Sequence, residues 1–217
     1  MGVNTKIFVV GSQKHYAQWT GFTLVPSIHQ ADIVMFTGGE DVNPELYGEK
    51  VGDFTSINKK RDIEEEAIFK QATKMNKKMI GICRGAQFLT VMSGGKLIQH
   101  VNNHGVSKGH NMYNTLTNDI IDITSTHHQM LYPFNMEKNL YQIIGYSADQ
   151  LSNTYLNGDN EEIMLPKDFV EPEIVLYKNT NALAIQCHPE MMREYSKDLK
   201  QIKDILINFS QIKKFKI

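Results

Sequence analysis

Three short apolar runs that meet glycines constrain the fold most. Lys6-Ile-Phe-Val-Val10 ends at Gly11, Asp32-Ile-Val-Met-Phe36 leads to Gly38-Gly39, and Lys78-Met-Ile-Gly-Ile82 runs into Cys83 and Gly85. Runs that are apolar at successive positions suit central strands covered on both faces, because a strand with one wet face alternates. Further strands are expected over Tyr141 to Tyr146, Glu173 to Tyr177 and Ala182 to Gln186. Helical stripes alternate with these. Ile63, Ala67, Ile68, Ala72 and Met75 form one, with Glu64, Glu65 and Glu66 on or near the opposite face. Arg84 to Ser93 forms a second, stopped by Gly94-Gly95, and Leu199, Ile202, Ile205, Phe209 and Ile212 recur every three or four residues in a third. Strand–helix alternation of this kind predicts an α/β fold with a mostly parallel sheet. The stretch from Asn102 to Leu140 reads as loops and short strands.

The chain has 217 residues, which predicts a single domain over 1–217. Its 23 Lys and Arg against 24 Asp and Glu leave a charge of −1, arguing against a nucleic-acid binder, which would carry a basic excess. Two cysteines exclude a disulfide scaffold and a four-thiolate zinc site. Ile7 to Val10 is too short for the core of a signal peptide, no run approaches the ~20 apolar residues of a membrane span, and Lys6 stands where a myristoylation signal wants Ser or Thr. The expectation is a soluble, cytoplasmic protein with neither membrane nor nucleic acid as partner. Lys213, Lys214 and Lys216 read as a solvated helix end.

Ile80-Gly81-Ile82-Cys83-Arg84-Gly85 carries the first chemical signal. An apolar strand runs into a cysteine with glycine two residues to either side, and a helix pattern follows at once. This is the layout of a nucleophile elbow, in which a strained strand-to-helix turn presents the reactive side chain. The glycines are needed if neighbouring chain passes close. The helix N-terminus would favour thiolate, and the Arg84 N–H is placed to donate to an oxyanion. By itself the segment also fits a buried structural cysteine at a tight turn.

A thiol nucleophile needs a base, and the base needs an orienting group. Ala182-Leu-Ala-Ile-Gln-Cys-His-Pro-Glu190 offers both. A strand leads into His188, and Glu190, two residues on, can leave the chain on the same side and hold one ring nitrogen while the other faces Cys83. Alone, this segment also fits a loop histidine beside a surface glutamate. Cys187 alternates to the other face and is expected in the core.

Together the two segments resemble the class I glutamine amidotransferase superfamily. Thr37-Gly-Gly-Glu-Asp-Val-Asn-Pro44, Tyr47-Gly-Glu49, Arg61-Asp62 with Glu65 or Glu66, Gly81-Ile-Cys-Arg-Gly-Ala-Gln87, Gly94-Gly-Lys-Leu-Ile-Gln-His100, Ser125-Thr-His-His-Gln129 and Gln186-Cys-His-Pro-Glu190 resemble its peptidase C26, or γ-glutamyl hydrolase-like, branch. The matches keep the family's order over about residues 32–210. The resemblance implies a three-layer α/β/α sandwich of the flavodoxin-like class, with the site at the carboxyl ends of the strands. It implies that Cys83 attacks the γ-carbonyl of a glutamyl amide, that His188 moves the proton and Glu190 orients it, and that a thioester is then hydrolysed. Backbone N–H groups of Gly39 and Arg84 would form the oxyanion hole, and Gln87, His128 and Gln129 would hold the ends of the glutamyl group. No cofactor is implied. A second activity on the same fold is that of a glutaminase subunit serving a separate synthase chain; a third is a quiet binding protein. A homodimer is compatible with any of them.

The chain departs from the resemblance between Val10 and Asp32, where a longer stretch with a second strand and a helix is usual and only a short one holds His15, Tyr16 and Trp19. Eight histidines invite a metal reading, but His104 and His110 are six apart, His127 and His128 are adjacent, and no His-Glu-x-x-His spacing occurs. The expectation is no metal site. Arg61 fits either a residue that pins an active-site loop or one half of a surface pair.

Overall fold

The computed structural model describes residues 4–212, apart from the side chains of residues 106–108. The lysine-rich tail lies outside the described residues. Nine strands form the main sheet: β1 (Lys6–Val9), β2 (Thr23–Leu24), β3 (Ile33–Phe36), β4 (Lys78–Ile82), β5 (Gly105–Asn114), β6 (Asp119–Thr126), β7 (Tyr141–Ser147), β8 (Pro172–Tyr177) and β9 (Ala182–Ile185). Their spatial order is β2-β1-β3-β4-β9-β8-β7-β5-β6. Helices α1 (Lys59–Lys74), α2 (Arg84–Met92) and α3 (Lys197–Gln211) cover it.

The central strands are buried on both faces, as their unbroken apolar runs require. Ile7, Val9, Ile33, Met35, Ile80, Ile82, Leu183 and Ile185 pack on one side with Leu199, Ile202, Ile205 and Phe209 of α3. Val34, Phe36, Met79, Ala182 and Ala184 pack on the other with Phe69 and Ala72 of α1 and Ala86, Phe88 and Leu89 of α2. Alternate residues of each strand thus serve opposite layers, giving the expected α/β/α sandwich.

The sheet is mixed rather than mostly parallel. The pairs β1/β2, β1/β3, β3/β4 and β4/β9 are parallel. The pairs β9/β8, β8/β7, β7/β5 and β5/β6 are antiparallel. Short turns return the chain antiparallel at β5/β6 and at β8/β9, and the long segment between β7 and β8 also returns it antiparallel. The stretch expected as loops and short strands contains the ten-residue β5 and the eight-residue β6. Polar residues at buried positions, Asn114 and Ser125, and the exposed Ile120 break the alternation that would have marked these strands. The departure between Val10 and Asp32 folds as a 3-10 turn over Lys14–Thr20 and the two-residue edge strand β2.

Helix α1 is rotated from the face its apolar residues suggested. Ile63 is 68% exposed and Ala67 is exposed, whereas Asp62, Glu65, Phe69 and Ala72 face inward. The carboxylates turn in because Arg84, 1% exposed at the start of α2, needs counter-charges. Its guanidinium pairs with both Asp62 and Glu65. An unpaired buried cation would cost several kcal/mol.

The two glycines around Cys83 are required for space. A Cβ on Gly81 would collide with the backbone of Gly85 and Ala86, and one on Gly85 would collide with the carbonyl of Phe36 on β3. Backbone cannot retreat as a flexible side chain can. Gly85→Ala is therefore expected to lower stability by about 1–3 kcal/mol, read as a fall in the urea midpoint at unchanged m-value.

Candidate active site

Cys83 sits between β4 and α2 with φ 50° and ψ −110°, a left-handed backbone that a non-glycine residue adopts at a cost of about 1–3 kcal/mol. Its surroundings enforce the conformation: the Cys83 N–H donates to the Ile185 carbonyl of β9 at 2.9 Å, and the Cys83 carbonyl accepts from Gln87 N–H at 3.1 Å inside α2. The turn aims the thiol at the segment that follows β9, because β4 and β9 are parallel neighbours ending at the same edge.

His188 lies in that segment, close enough to the Cys83 thiol for the two groups to affect each other's charge. Its Nδ1 lies 2.6 Å from Glu190 Oε1, and both side chains are 7% exposed. Burial alone would discourage charge on this ring. The hydrogen bonds and charges of Cys83 and Glu190 outweigh it and lift the imidazole to about 10. Thr124 of β6 holds the backbone of His188 from both sides: its hydroxyl accepts the His188 N–H at 2.7 Å and donates to the His188 carbonyl at 3.1 Å. A thiol, an imidazole and a buried carboxylate in this order can generate and stabilise a thiolate–imidazolium pair. Cys187 is fully buried, and burial with the charge of Glu173 pushes its thiol up, so it stays neutral in the core.

The Thr37-Gly38-Gly39 turn after β3 faces this group. Arg61 pins it: Nη2 donates to the carbonyls of Thr37 at 2.9 Å and Gly38 at 3.0 Å, and Nε donates to Glu65 at 2.8 Å. Of its two sequence readings, the loop-pinning one describes the observed contacts. The consequence follows from peptide planarity. With the Gly38 carbonyl drawn to Arg61 and the bond trans, the Gly39 N–H of the same peptide points the opposite way. Gly39 has φ 142°, open to glycine, and a Cβ there would strike the Arg61 guanidinium.

A cavity of about 240 Å³ opens beside the thiol, lined by Gly39, Asp41, Cys83, Gln87 and His128 among others. Of the three residues expected to hold a ligand, Gln87 and His128 reach it. Gln87 Nε2 also donates to the Gln129 carbonyl at 3.3 Å, and His128 Nε2 stands 3.2 Å from Asp41 Oδ1. Gln129 does not line the cavity. It is fully buried, and neither end of its side-chain amide has a partner. A larger hollow of about 480 Å³ near Glu49 and Tyr155 contains neither cysteine nor histidine.

Sequence reasoning gave no role to Tyr16, Thr124 or Asp41. Tyr16 comes from the short segment after β1; its ring lies 6.0 Å from that of His188 and its hydroxyl sits against Gly38. Burial, then the charges of Glu190 and Cys83, push its phenol up to about 12. Nothing in the local sequence marks Tyr16. Thr124 directly precedes the Ser125 to Gln129 segment, so its neighbourhood was flagged although its contact was not.

No helix among the described residues is long and apolar enough to cross a membrane. The chain matches the Peptidase C26 family over residues 23–190. It is 31% identical to the glutamine amidotransferase-like protein YvdE of Lactococcus lactis over 82% of this chain and 73% of that protein. It is 29% identical to protein NtpR of Enterococcus hirae over 76% of this chain and 69% of that protein. Among solved structures, a chain of PurLQS from Thermotoga maritima superposes with a TM-score of 0.60 at 16% identity, covering 95% of this chain and 99% of that one. A glutamine amidotransferase of Thermotoga maritima superposes at 0.54 and 13% identity, over 97% and 87%. At such identities the superpositions speak to the fold.

Proposed function

The chain belongs to the peptidase C26 family, and from that premise we propose that it hydrolyses γ-glutamyl amides through a γ-glutamyl thioester on Cys83, releasing glutamate and an amine. The family supports an amide-hydrolase type of activity. The observation that carries the finer reading is the strained Cys83 turn set beside a His188 whose Nδ1 is 2.6 Å from Glu190.

In this reading His188 takes the thiol proton and Cys83 Sγ attacks the γ-carbonyl. The negative charge passes to the carbonyl oxygen, which the N–H groups of Gly39 and Arg84 receive. The tetrahedral species collapses, the C–N bond breaks, and His188 returns its proton to the departing amine. Water, deprotonated by His188, then attacks the thioester, and glutamate leaves as the thiol is regenerated. Glu190 keeps the proton on Nδ1, so that Nε2 does the transfer. Gln87 and His128 line the cavity beside Cys83 and would bind the glutamyl end; Gln129 would act from behind Gln87.

Arg61 is the positioning residue for the Gly39 donor. Arg61→Met should free the Gly38–Gly39 peptide and lower kcat about 10- to 100-fold, a fraction of the 10²–10³ seen when an oxyanion donor is deleted. KM should change far less, which steady-state kinetics will show.

The direct assay measures amine release from a panel of γ-glutamyl amides and from free glutamine, with wild type and Cys83→Ala in parallel. Turnover of a γ-glutamyl amide well above glutamine, lost in the variant, is expected. Glutamine hydrolysis that rises only when a synthase chain is added would replace this reading with that of a glutaminase subunit. Tight ligand binding without turnover would replace it with that of a binding protein.

A further inference from the structure

Behind the cavity three imidazoles converge on one carboxylate. Glu173 on β8 is fully buried, and its Oε1 lies 3.1 Å from His110 Nε2, 3.5 Å from His104 Nδ1 and 3.6 Å from His127 Nε2. The side chains of His104, His127 and His110 are 0%, 1% and 7% exposed. Despite the short distances, none of these contacts aligns as a hydrogen bond. Both ring nitrogens of His104 and of His110, Nε2 of His127 and both oxygens of Glu173 lack a partner. A buried polar group left in that state costs about 1–3 kcal/mol, and this many in one place call for a missing occupant.

The geometry describes that occupant. Ligand atoms bound at about 2.0–2.1 Å around a tetrahedral ion stand about 3.3 Å apart, and their lone pairs point at the ion rather than at each other. The spacings of 3.1, 3.5 and 3.6 Å, all measured from Glu173 Oε1, are near that edge length. One ligand atom each from His104, His110 and Glu173 lie within 4.8 Å of one another.

One of the rings is also held in the way a metal ligand is held, and a second has a carboxylate beside it. His127 Nδ1 lies 2.8 Å from the Gln129 carbonyl, which can only accept, so Nδ1 carries the hydrogen and Nε2 presents a lone pair toward Glu173. Behind His104, its Nε2 is 3.2 Å from Glu171 Oε2, and the Glu171 carboxylate is fixed by the N–H groups of Leu151 at 2.9 Å and Ser152 at 2.8 Å. Carboxylates and carbonyls placed behind ligating histidines set their tautomer and orientation.

We propose that His104, His110 and Glu173, with His127 against the same carboxylate oxygen, bind a divalent transition-metal ion of the zinc class. Imidazole nitrogen with one carboxylate suits zinc and its neighbours rather than calcium or magnesium, which prefer all-oxygen sites. The ion is structural: its ligands are sealed from solvent. It joins β5, β8 and the segment after β6. The Glu173 carbonyl also accepts the Gln186 N–H at 2.8 Å, two residues before His188, so the ion would brace the strand end that carries the active-site histidine. This inference does not depend on the proposed hydrolysis.

The test is metal analysis of untagged wild-type protein after dialysis, followed by titration of metal-depleted protein with Co²⁺ and with Zn²⁺. About one equivalent of metal per chain is expected. So is a visible Co²⁺ spectrum of tetrahedral intensity, displaced by Zn²⁺, and a rise of several degrees in the unfolding midpoint on reloading. His110→Gln should lose the spectrum, while His100→Gln, outside the cluster, should keep it. Wild-type protein that gives no Co²⁺ spectrum and no midpoint shift with excess Zn²⁺ would overturn the proposal, whatever the variants do. A spectrum that survives His110→Gln and disappears with His100→Gln would overturn it too, by moving the bound ion to the surface histidines.

Discussion

Arg84→Met is expected to lower stability by about 3–5 kcal/mol, because it removes the shared cation from two buried carboxylates and leaves Asp62 without a counter-charge. Arg84 is among the largest fully buried side chains, pairs with Asp62 and Glu65, and lies 5.0 Å above the ring of Phe88. Burial, then the neighbouring Arg61, depress its guanidinium to about 10, so it remains a cation at neutral pH. After the substitution Glu65 keeps Arg61, but Asp62 keeps only the Asn43 N–H at 3.3 Å. At about 2–4 °C per kcal/mol for a chain of this size, the unfolding midpoint should fall by roughly 10 °C. Adding Asp62→Leu should recover part of the loss, since an apolar replacement removes the stranded charge. A variant as stable as wild type in urea would show that the cluster is not a structural requirement.

The second large effect is on the proton chemistry at His188. Its raised value near 10 means the imidazolium persists well into the alkaline range. A step that needs His188 to donate a proton to the departing amine should therefore fail only as pH rises through that region. Glu190→Gln removes a charge that holds the value up, and burial, which opposes charge, is left less contested. The alkaline limb of kcat should move to lower pH by about 1–3 units. The plateau should fall about 10²-fold or more, because the ring also loses its orienting partner at 2.6 Å. A pH–rate profile of the variant that overlays the wild-type one after scaling would separate Glu190 from the titration.

Much of this arrangement is legible without coordinates, for identifiable reasons. The apolar runs of β3 and β4 declare strands buried on both faces, and glycines at 81 and 85 declare a close backbone crossing at Cys83. His188 and Glu190 are two residues apart, so their pairing is local. The less legible features are of a different physical kind. The inward face of α1 contains Asp62 and Glu65, which hydrophobic periodicity assigns to solvent until Arg84 is known to lie beneath them. The period of β5 and β6 is masked because buried positions hold Asn114 and Ser125 and an exposed one holds Ile120. Tyr16 and Thr124 meet His188 from elements far away in the chain. The convergence of His104, His110, His127 and Glu173 comes from separate strand ends and has no spacing signature to read.

The central claim is that Cys83 carries the glutamyl group. Mass spectrometry of the intact protein, quenched in acid within a turnover of a γ-glutamyl amide, tests it most directly. The expected result is a population heavier by one glutamyl residue, mapped by digestion to the peptide holding Cys83, absent in Cys83→Ala and longer-lived in Glu190→Gln. Amide hydrolysis that proceeds with no such adduct, or an adduct on any other residue, would contradict it.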